Sequence, residues 1–76
     1  MRMRLFAQPD LLIRKLIEKL RDSDRRTRRN AAGALGMQGT RALEAIPVLS
    51  ALLSDSDPEV RATAERTLDH LRFTQD

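Results

Sequence analysis

Five arginines and two aspartates fall between Arg21 and Arg29, the densest charge in a chain of 76 residues. Guanidinium groups clustered at the start of a helix can seat phosphates, so Arg21, Arg25, Arg26 and Arg29 form a candidate phosphate-binding set, with Arg28 beside them. Stacking on nucleic-acid bases has little support, because Phe6 and Phe73 are the only aromatic residues. Catalytic chemistry has less. His70 is the single histidine and there is no cysteine, which leaves no ligand set for zinc and no base for a triad with Ser23, Ser50, Ser54 or Ser56. Asp22, Asp24, Asp55 and Asp57 lack the spacing of a calcium loop. Gly33, Gly36 and Gly39 follow a helical pattern, whereas a phosphate-cradling loop follows a strand. The chain is therefore expected not to be an enzyme, with no catalytic residue, no metal and no cofactor.

Composition narrows the class. A chain this short forms one domain, residues 1–76, with a core of marginal stability. Hydrophobic residues at 41% beside charged residues at 33% fit a folded domain with charged helix surfaces and argue against disorder. Without cysteine, stability must come from helix packing or from association. No apolar run reaches the length of a signal-peptide core or a membrane span, so a soluble, cytoplasmic protein with no membrane partner is expected. The net charge of +3 is uneven: residues 1–38 carry ten Lys/Arg and four Asp/Glu, residues 39–76 four and seven. One half is basic and the other acidic.

The elements that position these residues repeat. At a constant offset of 33, Leu16 matches Leu49, Leu20 Leu53, Asp22 Asp55, Ser23 Ser56, Asp24 Asp57, Arg28 Arg61, Ala31 Ala64 and Leu35 Leu68. Each copy reads as two helices around an Asp-Ser-Asp turn. In the first, repeat 1 at about 10–36, a helix over about Asp10 to Arg21 aligns Ile13, Leu16, Ile17 and Leu20, with Pro9 at its start. Asp24 is expected to cap the next helix, about Arg25 to Leu35, which buries Thr27, Ala31, Ala34 and Leu35 and turns Arg25, Arg29 and Ala32 outward. In the second, repeat 2 at about 41–72, Leu43 to Leu53 buries Ile46, Leu49, Leu52 and Leu53, unless Pro47 delays or bends the helix. Asp57 caps a last helix opened by Pro58, whose stripe is Val60, Ala64, Thr67, Leu68 and Leu71. Gly36 and Gly39 flank the connector and can take a left-handed conformation.

The string Ala34-Leu35-Gly36, Gly39, Ala45-Ile46-Pro47, Leu49, Leu52-Leu53, Asp55-Ser56-Asp57, Val60-Arg61, Ala64 and Leu68 resembles the HEAT repeat, in particular the short variety of phycobilisome lyases and bacterial adaptor proteins. It covers nearly the whole chain, from Leu12 to Leu71. The resemblance implies an all-α fold, an α-α superhelix of four helices in two stacked antiparallel pairs. It also implies structural roles for Asp24, Arg28, Asp57 and Arg61, the arginines bonding turn acids and carbonyls. Thr27 departs from the pattern, which has Val60 in copy two.

A non-catalytic protein-interaction or adaptor module follows, because stacked helical pairs offer shallow concave surfaces. Its expected partner-binding residues, on the row of second helices, are Arg25, Arg29, Ala62, Arg66 and Asp69. A nucleic-acid-backbone-binding module using the arginines is the second reading, and an accessory role to a bilin lyase, on resemblance alone, the third. Two repeats leave apolar flanks uncovered, with Leu5 and Phe6 ahead of the first helix and Leu71 and Phe73 at the end of the last. A homodimer is expected: a twofold contact closes, while a head-to-tail one, matching basic to acidic halves, grows open-ended.

Overall fold

In a computed structural model of the chain, residues 2–74 are described, with side chains from residue 11 to residue 72. The α-helices are α1 (Arg2–Lys19), α2 (Arg25–Gly36), α3 (Ile46–Ala51) and α4 (Pro58–Thr74), and no strand occurs among the described residues. Two 3-10 segments, Gly39–Ala45 and Leu52–Ser54, lead into and out of α3. Helix α1 packs on α2, α3 packs on α4, and the two pairs meet chiefly where α2 lies against α4. The fold is all-α.

Helix α1 begins at Arg2, not near Asp10. Leu5 and Phe6 therefore lie within its backbone, not ahead of it, while their side chains and that of Phe73 fall outside the described residues. Pro9 lies inside α1, where it removes one helix hydrogen bond, and helix formers such as Arg, Met, Leu, Ala and Gln fill the stretch before it. The third helix is shorter than the spacing from Leu43 predicts. Pro47 sits in the first turn of α3, where its missing N–H costs no helix bond, and the residues before it form the 3-10 segment instead.

Ile13, Leu20, Leu35, Leu49, Val60, Leu68 and Leu71 are fully enclosed, and each such leucine contributes roughly 2 kcal/mol by leaving water. Leu71, expected to need cover at the end of α4, already has it within the chain. Ala32, expected on the outward face of α2, is also fully buried. Helix α2 lies between α1 and α4, so it buries two stripes, and Ala32 and Gly36 belong to the one facing α4. Thr27 and Ala34 are only half-buried. Leu53, expected in the core, is 43% exposed although its equivalent Leu20 is 0% exposed. Leu20 is covered by the second repeat; Leu53 lies on the far side of that repeat.

The seam between α2 and α4 needs small residues. A Cβ on Gly36 would stand 3.3 Å from Thr67 Oγ1, and that hydroxyl donates to the Ala32 carbonyl at 2.9 Å. Gly39, with φ of +63°, turns the chain out of α2 toward the second repeat in a conformation that disfavours any other residue.

Candidate functional site

Both Asp-Ser-Asp turns are built alike. Asp22 Oδ1 accepts from the Asp24 amide at 2.8 Å, and Asp55 Oδ1 accepts from the Asp57 amide at 2.9 Å. The arginine four residues on reaches back in each copy. Arg28 Nη1 donates to the carbonyls of Asp22 and Ser23 at 2.8 and 3.0 Å, and Arg61 Nη1 to that of Asp55 at 2.6 Å. The structure thus places Arg28 and Arg61 against the turn preceding their own helix.

The caps differ. Asp57 Oδ2 accepts from the Val60 amide at 3.0 Å. Asp24 occupies the same position with extended backbone, yet its carboxylate makes no hydrogen bond to an amide of α2. It accepts from Thr27 Oγ1 at 3.0 Å. Where copy two has Val60, copy one has a hydroxyl that takes the capping oxygen. That hydroxyl, ahead of the nearby amides of Arg26 and Thr27, holds the Asp24 carboxyl below the usual carboxylate range, with partial desolvation opposing it.

Three arginines of the dense cluster turn toward acids of the second repeat. Arg28 engages Asp55 through two parallel bonds, Nε to Oδ2 at 2.8 Å and Nη2 to Oδ1 at 3.0 Å, with the two side chains only 14% and 8% exposed. Arg29 pairs with Glu59. Arg25 Nη1 lies 3.7 Å from Asp57 Oδ1. The Arg28 guanidinium holds the Asp55 carboxyl below its ordinary range, desolvation opposing and the Asp57 amide assisting. Asp55 in turn raises Arg28. The uneven charge of the two halves is therefore used inside the molecule, as a seam. Arg21 and Arg26, the other members of the phosphate-binding set, are exposed.

Of the expected partner-binding residues, Arg29, Ala62 and Arg66 come together around one shallow depression of about 260 Å³, completed by Glu59 and Thr63. Arg25 shares a neighbouring one with Arg26 and Arg29. Asp69 is exposed further along α4, where Arg72 Nη1 donates to it at 3.3 Å. A second surface escaped the sequence reading. Leu20, Pro47, Val48, Ala51 and Leu52 line an open apolar groove of about 540 Å³ between α1 and α3, edged by Arg21 and Asp22. Pro47 and Ala51 sit on the outward side of a helix whose start only the proline marks, so helical periodicity counted from Leu43 could not place them.

A protein-family model described as HEAT repeats matches residues 13–75. Neither the curated proteins nor the solved structures gave a match.

Proposed function

Because the chain belongs to the HEAT-repeat family, we propose that it is a non-catalytic adaptor module that binds a protein partner on its row of second helices. The contact residues are Arg25 and Arg29 of α2 with Ala62, Arg66 and Asp69 of α4. The carrying observation is the engagement of Arg25, Arg28 and Arg29 by Asp57, Asp55 and Glu59. A phosphate would have to displace Asp55 from Arg28, and Asp57 and Glu59 beside Arg25 and Arg29 lower the positive potential of the face, which works against nucleic-acid binding through this cluster. A protein surface can instead meet the alternating charges and the small Ala62 between them, a mixture suited to an interface rim. An accessory role in bilin attachment rests on the resemblance alone.

The test is capture from host extract by the immobilised chain, with and without nuclease, beside Ala62→Glu and Arg66→Glu variants. A protein retained after nuclease and lost with either variant is the expected result. Prey that disappears on nuclease treatment, or that both variants still hold, overturns the reading.

A further inference from the structure

The internal seam is a template for a contact between molecules. Leu49, Leu52, Val60, Thr63, Ala64 and Thr67 are buried in the second repeat, where Thr63 and Thr67 meet α2 of the first. Their equivalents at the offset of 33 are Leu16, Lys19, Thr27, Asn30, Ala31 and Ala34. These six line an open groove of about 320 Å³ between α1 and α2. Among the described residues the first repeat therefore covers less of the same face: Lys19 and Asn30 are exposed and Leu16, Thr27 and Ala34 half-buried, with only Ala31 enclosed.

The covering side has its counterpart too. Leu20 and Arg28, which the first repeat sets against the second, correspond to Leu53 and Arg61. Leu53 is exposed, and among the described residues Arg61 donates only to its own turn, at the Asp55 carbonyl. The acid that Arg28 grips is Asp55, and its equivalent is Asp22, which is exposed and has no arginine on its carboxylate among the described residues.

We propose that two copies of this chain associate head to tail, Leu53 and α4 of one docking on the α1/α2 groove of the next, with Arg61 of the first gripping Asp22 of the second as Arg28 grips Asp55. The second copy is the fitting occupant on two grounds. Both faces carry mixed charge in complementary places, with Arg61 on the α4 side set to meet the exposed Asp22, and Glu65 and Asp69 set to meet Lys19 in the groove. Size also matches. Gly36 meets Thr67 inside the molecule, and between molecules their equivalents are Asp69 and Ala34: the side that has grown faces the side that has shrunk. Glu65, Arg66 and Asp69 replace Ala32, Gly33 and Gly36, which spaces the faces further apart than in the internal seam and makes the contact weak and salt-sensitive. Arg66 and Asp69 belong both to this face and to the second-helix row proposed for the protein partner, whereas Asp22, Leu53 and Arg61 belong to this face alone, so variants at those three positions test the association separately.

Charge reversal tests the pairing by sedimentation equilibrium between about 10 μM and about 1 mM, where mass action reveals weak association. The wild-type average mass is expected to rise with concentration past that of a dimer. Asp22→Arg alone and Arg61→Asp alone are each expected to weaken association at least roughly tenfold. Mixed in equal amounts they should associate again, because an arginine at 22 then faces an aspartate at 61. Arg61 also braces its own turn, so folding of each variant is checked by circular dichroism. Leu53→Lys, on the surface, provides a second variant expected to abolish association without moving the unfolding midpoint. A wild type that stays at 8.6 kDa, a mass that plateaus at twice that value as in a twofold dimer, or variants that associate as before would each overturn the proposal.

Discussion

The Arg28 guanidinium of the first repeat meets the Asp55 carboxylate of the second edge to edge, with bonds of 2.8 and 3.0 Å, while its remaining nitrogen holds two carbonyls of its own turn. One side chain thus ties the end of α1, the start of α2 and the turn of the other repeat. Removing the acid takes the counter-charge and two bonds from a guanidinium that the packing of the two repeats partly screens from water, so Asp55→Ala should lower the unfolding free energy clearly. Asp22→Ala, at the equivalent position without an arginine, should cost a fraction of that. Denaturant titration of both variants compares them; equal losses would show that the inter-repeat pair adds nothing.

Acid should loosen the same seam. Asp55 and Asp24 are both held below their ordinary value of 3.8 in the folded chain. A depressed folded value means the folded state favours the ionised form, so this stability is fully present above the unfolded value and is lost as pH falls through the folded one. Unfolding free energy should hold level from neutral pH down toward 5 and decline below about 4. In Asp55→Asn the decline should be shallower, a difference readable by urea titration at several pH values.

The glycines separate backbone strain from packing. At Gly39 nothing lies within 4 Å of an added Cβ, yet φ is +63°, so Gly39→Ala should destabilise through the backbone alone, by about 1 kcal/mol. Gly33 lies within α2, and its Cβ would make an ordinary contact 3.9 Å from Thr63. Gly33→Ala should therefore stabilise, by up to about 1 kcal/mol from helix propensity. Thermal melts that moved in the same direction for both would contradict this account.

Two threonines should respond differently to valine. Thr67 donates across the seam to Ala32 in a buried bond, so Thr67→Val should lose about 1 kcal/mol. Thr27 diverts Asp24 from its capping role, and Thr27→Val should free that carboxylate for the amide, as at Val60, with little or no loss. Hydrogen exchange of the residue 27 amide, slower in the variant, reports the new cap.

Arg61 braces the second turn through the Asp55 carbonyl. Arg61→Ala is expected to lower stability by roughly 1 kcal/mol, measured by chemical denaturation. Unchanged stability with lost partner binding would move Arg61 from the scaffold to the contact surface.

The 33-residue offset, the paired Asp-Ser-Asp turns and the helical spacing of Leu35, Leu49, Val60, Ala64, Leu68 and Leu71 lie wholly in the sequence, because turn chemistry and amphipathic periodicity are local properties. They determine two helical pairs and the place of each turn. Which equivalent residue is covered is decided by neighbours, and neighbours are tertiary. Leu20 and Leu53 occupy one repeat position and differ because only Leu20 has a repeat stacked on it. Ala32 reads as outward until α4 is set against α2. The arginine cluster shows the same division: its density is visible in the chain, but whether it awaits a phosphate or grips Asp55, Asp57 and Glu59 depends on how the two repeats stack. Spacing in sequence fixes the direction of a side chain along its own helix, while the partner within about 4 Å that gives an ionic contact its strength comes from the packing of separate helices.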